Sequence, residues 1–554
     1  MPVMTGKTAF MEMLRAEGVK YIFGNPGTSE LAIMASLEEF LDIKYVLAAQ
    51  EGVAMGMADG YSCGTGQPSL VNLHIDAGLA NGISLLQHAM DGGVPLVLTA
   101  GNKDTRKLAE GRTDLPGMVA QFTKWSAEVT NPDQIPGAMR RAFNEAKTPP
   151  TGPVFLAFAF DVFDGSADVE IIPSPKQYHR VAPDRQAVED AAAMLAGSAN
   201  PMILVGDRLG MSGGVDQAVA LAEMLGARVY ATSYARMNFP TGHPQYLGRI
   251  NPVLPAARDV FAPADVILAV GTNVFSGFFY FPGSMLAAGT RLIHLDSSAL
   301  EVGKSEPTAV GMVADPKTGL EHLMDAVESA MTGQAQEASR GRAAGLADEK
   351  TALKAAWQRR LKERWDRRPM AVERMMHELA RVLPRETVIA DDTITSRDAL
   401  HGAFEFSDPD GIFSERAGAI GWGMGSALGL KLAFPGRPVV GLLGDGSAMM
   451  TVQGLWTAAN EDLPVVYIIC NNRSYRILKL NMDIYQSQLL QRETPASRYI
   501  GMDFVQPFNI AAIANAMGVY GRAIEDPAEL GPAVQEALAS GKPAVLDVAI
   551  DGSV

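Results

Sequence analysis

Chemistry-bearing residues are densest toward the C-terminal end, where Gly444-Asp445-Gly446-Ser447 follows the apolar run 438–443 and Asn471-Asn472 closes the run 465–471. A glycine turn after a strand lets backbone N–H groups approach an anion at the N-terminus of the next helix, a seat that fits a diphosphate. Asp445 stands in that turn and Asn472 lies 27 positions on. If the two runs are adjacent parallel strands, both side chains meet at the strands' carboxyl ends. A carboxylate and an amide oxygen beside phosphate oxygens suit Mg²⁺, which prefers hard oxygen ligands. Gly-Asp-Gly alone is an ordinary turn; its coupling to Asn-Asn at this distance gives it chemical content.

Such a site needs parallel strands to carry it. Short apolar runs alternate with amphipathic stretches throughout, which is how strands and crossover helices are written. The first block, 1–165, has strands predicted at 21–23, 45–48, 69–73, 96–99 and 154–157. Pro173, Pro175 and Pro183 then make an extended connector. The second block, 184–330, has strands at 201–205, 228–231, 266–270 and 291–295. Residues 331–368, rich in Ala, Lys, Arg and Glu, read as a charged linker with helical tendency. The last block, 369–554, has strands at 387–390, 438–443, 465–471 and 544–549. The expected fold class is α/β, with three doubly wound parallel-sheet domains.

Composition narrows the partners. The 554 residues carry 47 Lys and Arg against 62 Asp and Glu, a formal charge of −15. A nucleic-acid backbone would be repelled. Cys63 and Cys470 are too few for a disulfide framework and lack zinc-site spacing. The first dozen residues carry charge without the apolar stretch of a secretory signal, and no run approaches the ~20 apolar residues of a membrane crossing. A cytoplasmic protein with no membrane partner is expected.

On Phe23-Gly24-Asn25-Pro26-Gly27-Thr28-Ser29-Glu30, Gln50-Glu51, Asn72-Leu73-His74, 238–244, 418–423 and 444–475, nearly the whole chain resembles thiamine-diphosphate (ThDP) enzymes. Within them it is most similar to benzoylformate decarboxylases, in the group that includes pyruvate decarboxylases and acetolactate synthases. The resemblance implies an N-terminal pyrimidine-binding domain, a central domain that no longer holds its ancestral nucleotide, and a C-terminal domain for diphosphate and Mg²⁺. It also implies a cofactor shared between two subunits, hence a homo-oligomer of at least two chains, with a tetramer usual.

Residue by residue, Glu51 corresponds to the glutamate that hydrogen-bonds the pyrimidine, Gly418 to the carbonyl that accepts from its amino group, and Ile420 to the apolar residue that bends the cofactor. Gly444, Asp445, Gly446, Ser447, Thr395 and Tyr475 fall in diphosphate-binding segments. Metal ligation carries over to Asp445, Asn472 and the backbone carbonyl of Ser474. His74 corresponds to an active-site histidine and Thr28 to a serine that touches the substrate carboxylate. Catalysis is thereby assigned to Glu51, His74 and Thr28, and the substrate pocket to Thr28, His74, Phe278 and Ile477.

Some positions depart from the pattern. Phe278 stands where the decarboxylases carry a second histidine, and phenylalanine cannot deliver a proton, so protonation falls to His74, water or another group. Ile477 replaces a smaller pocket residue. Arg473, Arg476 and Lys479 add positive charge, and Arg476 and Lys479 share a helix face that could hold a carboxylate or phosphate or serve partner salt bridges. Gly206-Asp207-Arg208-Leu209-Gly210 lacks the spacing of a dinucleotide turn and reads as inherited, without demand for a flavin. The expected activity is decarboxylation of an aromatic or bulky 2-oxo acid to an aldehyde and CO₂. Phe278 motivates the alternative, carboligation or C–C cleavage with an aldehyde or acyloin substrate. A non-catalytic binding subunit would be free to lose Glu51, Asp445 and Asn472, and all three are present.

Overall fold

Strands buried on both faces must be apolar throughout, and that requirement organises the chain into three six-stranded sheets whose pairing is entirely parallel. The computed structural model describes residues 3–176, 179–275, 277–492 and 498–554. The chain opens with β1 (Val3–Thr5) and builds its first sheet from β2 (Tyr21–Asn25), β3 (Lys44–Leu47), β4 (Ser69–Leu73), β5 (Leu96–Asn102), β6 (Ser126–Val129) and β7 (Val154–Ala159). Then β8 (Ser166–Asp168) returns to pair antiparallel with β1. The second sheet holds β9 (Pro201–Val205), β10 (Arg228–Ala231), β11 (Tyr246–Arg249), β12 (Val266–Val270), β13 (Arg291–Asp296) and β14 (Val310–Val313). The third holds β15 (Val388–Asp392), β16 (Ile412–Ser414), β17 (Val439–Gly444), β18 (Val465–Asn471), β19 (Tyr520–Ile524) and β20 (Ala544–Ala549).

Across the sheets the orders are β3-β2-β4-β5-β7-β6, β11-β10-β9-β12-β13-β14 and β16-β15-β17-β18-β20-β19. Counted from the first strand of each sheet, the first and third both read 2-1-3-4-6-5, whereas the middle reads 3-2-1-4-5-6, the order of dinucleotide-binding folds. Every run expected as a strand is one. The apolar runs do not reveal β6, β11, β14, β16 and β19, and each of these is a sheet edge. An edge strand is paired on one side only and half solvated, so Ser-Ala-Glu-Val or Tyr-Gly-Arg-Ala-Ile can serve there; β16 is buried but only three residues long. The charged stretch after the second sheet forms one 32-residue helix, Gly333–Arg364, with only Ser339, Leu346 and Leu361 buried.

One apolar core runs continuously from the first sheet to the third, through Phe23, Met57, Trp422 and Tyr467. The helices Glu51–Thr65 and Trp422–Ala433 make that join, and they approach backbone to backbone. A methyl group on Gly60 would strike the carbonyl of Ser426, and one on Gly429 that of Met57, so side chains at these positions would push the helices apart. Both helices begin at the face where the carboxyl ends of their own sheets' strands lie.

Candidate active site

In the third sheet β15, β17 and β18 lie side by side, with Asp392 level with Leu443 and Gly444 level with Cys470. Their carboxyl ends therefore present Asp392, Gly444 and Asn471 together, each followed by a site segment. Asp445 opens the helix Asp445–Met450 and is buried; its Oδ1 accepts from Gly446 N at 2.8 Å and its Oδ2 from Arg473 N at 2.7 Å. Burial pushes this carboxyl up to about 6 against those two hydrogen bonds. A cation beside it would relieve that desolvation. Asn472 Oδ1 accepts from Ser474 N at 3.0 Å, which fixes the turn that holds the Ser474 carbonyl. Among the described residues no group of three or more His, Cys, Asp or Glu could hold a metal. Carboxylate, amide and backbone oxygen remain, a hard donor set that fits Mg²⁺ rather than a transition metal.

The Ser447 hydroxyl donates to Asp392 and accepts from Gly421 N at 2.9 Å, and its own backbone N–H lies in the first turn of the helix that Asp445 opens. Asp392 Oδ2 also accepts from Gly421 N and Gly423 N, both at 3.0 Å. Burial, and then the charge of Glu415, push Asp392 up to about 7. Gly418, at φ +74°, is exposed and takes a conformation that suits glycine; its N–H donates to Glu415 and its carbonyl accepts from Ile420 N at 3.1 Å. Ile420 is half-buried beside it. The Tyr475 ring covers Gly446, where a side chain would displace it, and packs edge-on against Phe504 at 4.8 Å. Thr395 sits in the short turn Ile394–Ser396.

In the first sheet, Glu51 starts the helix after β3 and is buried. Its Oε1 accepts from Asn25 Nδ2 at 3.1 Å and its Oε2 from Asn81 Nδ2 at 3.0 Å, two neutral donors that orient the carboxyl without neutralising it. His74 follows β4; Gly78 lies against both Glu51 and His74, so the two side chains are neighbours. Nδ1 of His74 is 3.0 Å from Glu30 Oε2 and 2.9 Å from Ser29 Oγ, while Ser29 Oγ–H donates to Glu30 Oε1 at 2.7 Å. A carboxylate only accepts, so this network assigns a hydrogen to Nδ1 and leaves Nε2 as the ring nitrogen outside it. Glu30 is fully buried and also accepts from Gly27 N and Gly101 N at 2.9 Å. Thr28 is exposed in the same turn.

Three of the six non-glycine residues with positive φ among those described adjoin these loops: Ile75 after His74, Ile394 before Thr395 and Arg473 after Asn472. For isoleucine that region costs energy, and such strain collects where a loop is shaped for a ligand. The two halves are joined behind the site by Asp59 and Arg416. Arg416 Nη2 lies 2.9 and 3.1 Å from the two Asp59 oxygens, and Trp422 Nε1 donates to Asp59 at 2.8 Å. Burial would raise the Asp59 carboxyl, yet Arg416, with His88 and Trp422, holds it at about 2.

Glu51, His74 and Thr28 thus gather at one cluster, and Asp445, Gly446, Ser447, Asn472, Ser474 and Tyr475 at another. No hydrogen bond among the described residues links the two clusters. Phe278 stands apart, 96% exposed on the loop after β12, with its ring against Phe279. Ile477 is half-buried on the helix Arg476–Ile484. On that helix Lys479 pairs with Asp503 and is buried, whereas Arg476 donates to the Ser553 carbonyl, so the two cations do not act together. Sequence reasoning missed Glu30, Asn25, Asn81 and Asp392 as site residues. Only Asp391-Asp392, two acids closing an apolar run, carried a visible signal.

Comparison with known proteins agrees with this architecture. The chain matches the thiamine pyrophosphate enzyme N-terminal TPP binding domain over residues 4–123, the central domain over 188–323 and the C-terminal TPP binding domain over 395–548. Benzoylformate decarboxylase of Pseudomonas aeruginosa is 30% identical, over 98% of each chain. A probable acetolactate synthase large subunit of Methanocaldococcus jannaschii is 27% identical, over 99% of this chain and 92% of that one. The crystal structure of benzoylformate decarboxylase from Polynucleobacter necessarius superposes with a TM-score of 0.84 at 27% identity, covering 99% of both chains. With three domains matched in order and full-length relatives, the chain belongs to the thiamine pyrophosphate enzyme family.

Proposed function

We propose that the chain catalyses the ThDP- and Mg²⁺-dependent decarboxylation of a bulky, aromatic 2-oxo acid to an aldehyde and CO₂. The observation that carries this reading is the Glu30-held His74 beside Glu51. Supporting it are His74, whose Nδ1 meets Glu30, and the buried Glu51 carboxyl, whose partners among the described residues are the neutral amides of Asn25 and Asn81. Asp445, Asn472 and the Ser474 carbonyl would hold Mg²⁺; the Gly446 and Ser447 N–H groups, with Thr395, would hold the diphosphate; Glu51, Gly418 and Ile420 would hold the pyrimidine. When bound, ThDP supplies the electron sink for the bond broken beside the carbonyl.

The chain's own residues do the rest. Glu51 would hydrogen-bond the heterocycle and hold or release a proton at its carboxyl, and the Thr28 hydroxyl would offer a hydrogen bond to the substrate carboxylate. His74 takes and returns a proton through Nε2, because Nδ1 is committed to Glu30. The active unit is a homo-oligomer, with the half-site of one copy completed by that of another. A second reading, carboligation or C–C lyase chemistry, rests on Phe278, a phenylalanine at the chain position where the resemblance expects a histidine, and on the acetolactate synthase relative. Incubating the protein with benzoylformate, with and without ThDP and Mg²⁺, tests both. Cofactor-dependent CO₂ with stoichiometric benzaldehyde is expected. CO₂ with a coupled acyloin product would favour the second reading, and absence of CO₂ from ThDP-loaded protein would remove the aryl substrate.

A further inference from the structure

Two acids close β15, and they are used differently. Asp391 is held locally: its Oδ2 meets Arg397 Nε at 2.6 Å, and its Oδ1 accepts from the Thr393 hydroxyl at 2.6 Å and from Thr393 N at 3.1 Å. Asp392, 0% exposed, reaches groups that lie 29, 31 and 55 positions away. Its Oδ2 accepts from Gly421 N and Gly423 N, each at 3.0 Å, and from the Ser447 hydroxyl, whereas its Oδ1 has no hydrogen-bond partner among the described residues. A carboxyl group can spread its donors over two oxygens, so three donors on one oxygen tie separate segments to a single point. One segment is the loop that carries Gly418 and Ile420 into the helix Trp422–Ala433; the other is the helix Asp445–Met450. The approach is close. A methyl group on Gly423 would stand 2.6 Å from the Asp392 Cβ, and Gly421 shares its N–H between Asp392 and Ser447 while its carbonyl accepts from the Thr451 hydroxyl at 2.6 Å.

We propose that Asp392 is a positioning residue that fixes the spacing between the loop of Gly418 and Ile420 and the helix of Ser447, so that one bound molecule can reach both. The inference rests on the function proposed above, in which the loop would hold the pyrimidine of ThDP and the helix its diphosphate. Asp392 is buried beneath both and acts through Gly421, Gly423 and Ser447. Two parts of one ligand bind together only where their seats stand at the right separation. A seat displaced by about 1 Å loses that joint binding while each part keeps its own contacts.

Full-length wild type, Asp392→Ala and Asp392→Asn test this with two readouts. Amide hydrogen exchange without cofactor follows the join itself: in Asp392→Ala it should rise about tenfold in both 418–423 and 445–450 and stay as in wild type elsewhere. Asp392→Asn, whose amide oxygen can accept from the same donors, should restore it. Calorimetric titration at fixed Mg²⁺ follows the ligand: Asp392→Ala should bind ThDP about tenfold or more weakly and inorganic diphosphate within about twofold of wild type, with Asp392→Asn close to wild type for both. Exchange unchanged in either segment, exchange raised throughout the chain, or diphosphate weakened as strongly as ThDP would overturn the proposal. So would a folded Asp392→Asn that loses ThDP, which keeps the test decisive if Asp392→Ala does not fold. A wild type that ignores ThDP sinks the functional reading instead, and hydrogen exchange alone then decides whether Asp392 joins the two segments.

Discussion

The two terminal sheets share a strand order that the central sheet lacks, and the functional residues follow that division. The first strand of each terminal sheet leads to Asn25 and Thr28 in one and to Asp392 and Thr395 in the other. The second leads to Glu51 or to Gly418 and Ile420, and the third to His74 or Asp445. The helices after the second strands, Glu51–Thr65 and Trp422–Ala433, are topological equivalents packed on each other. One plan is used twice, face to face. The first copy brings together the titratable side chains Glu51, His74 and Glu30; the second brings together Asp445, the Asn472 amide and the backbone of the helix that Asp445 opens.

The central sheet has the strand order of nucleotide-binding folds, yet at its strand ends polar groups satisfy one another. Arg208 lies across Asp296 with bonds of 2.7 and 2.8 Å, and buried His294 meets the Thr272 carbonyl at 3.1 Å. In the terminal sheets Asp445 and Glu51 are buried, and among the described residues neither makes an ion pair. Strand order alone does not make a site; polar groups left for an external partner do.

The sharpest way to break this contrast is Glu51→Gln. The amide keeps the bonding shape and loses the proton exchange, so turnover should fall about 10³-fold while ThDP affinity, read by calorimetry, stays close to wild type. Retained turnover would remove Glu51 from the chemistry and leave the first sheet no different in kind from the central one.

Next in size is Arg208→Met. It strands the buried Asp296 carboxylate and should cost about 3 kcal/mol in urea unfolding without changing ThDP affinity. A large loss of ThDP affinity would show that the central domain takes part in the site.

The smallest effect concerns the join between the terminal domains. Asp59 is held at about 2 in the folded chain, below the ordinary carboxylate value of about 3.9. Its contribution, about 2 kcal/mol, is present above pH 4 and is lost as pH falls from about 4 to 2. Asp59→Asn should flatten the wild-type fall in stability across that window, measured by urea midpoints at successive pH values. An unchanged slope would show that the pair does not hold the two domains together.

Much of this was legible in the chain because central parallel strands are apolar on both faces. All thirteen runs that read as strands are strands, and Asp445 and Asn472 fall at the ends of adjacent ones. Five of the six edge strands of these sheets were not legible, since one open side relaxes the need for apolar residues; β3 is the edge that was. Nor was Glu30 as the partner of His74, because they are 44 positions apart and only the turn around Gly27 brings them together.

By itself the sequence determined the three α/β blocks, the glycine turn around Asp445 between adjacent strands, and the family resemblance. These follow from local periodicity and short-range spacing, which a one-dimensional string records. Only the tertiary structure decided the shared order of the outer sheets, the Glu30–His74 contact and the Asp59–Arg416 join. Each of those depends on which distant groups desolvate and satisfy one another, and that is settled by packing rather than by spacing along the chain.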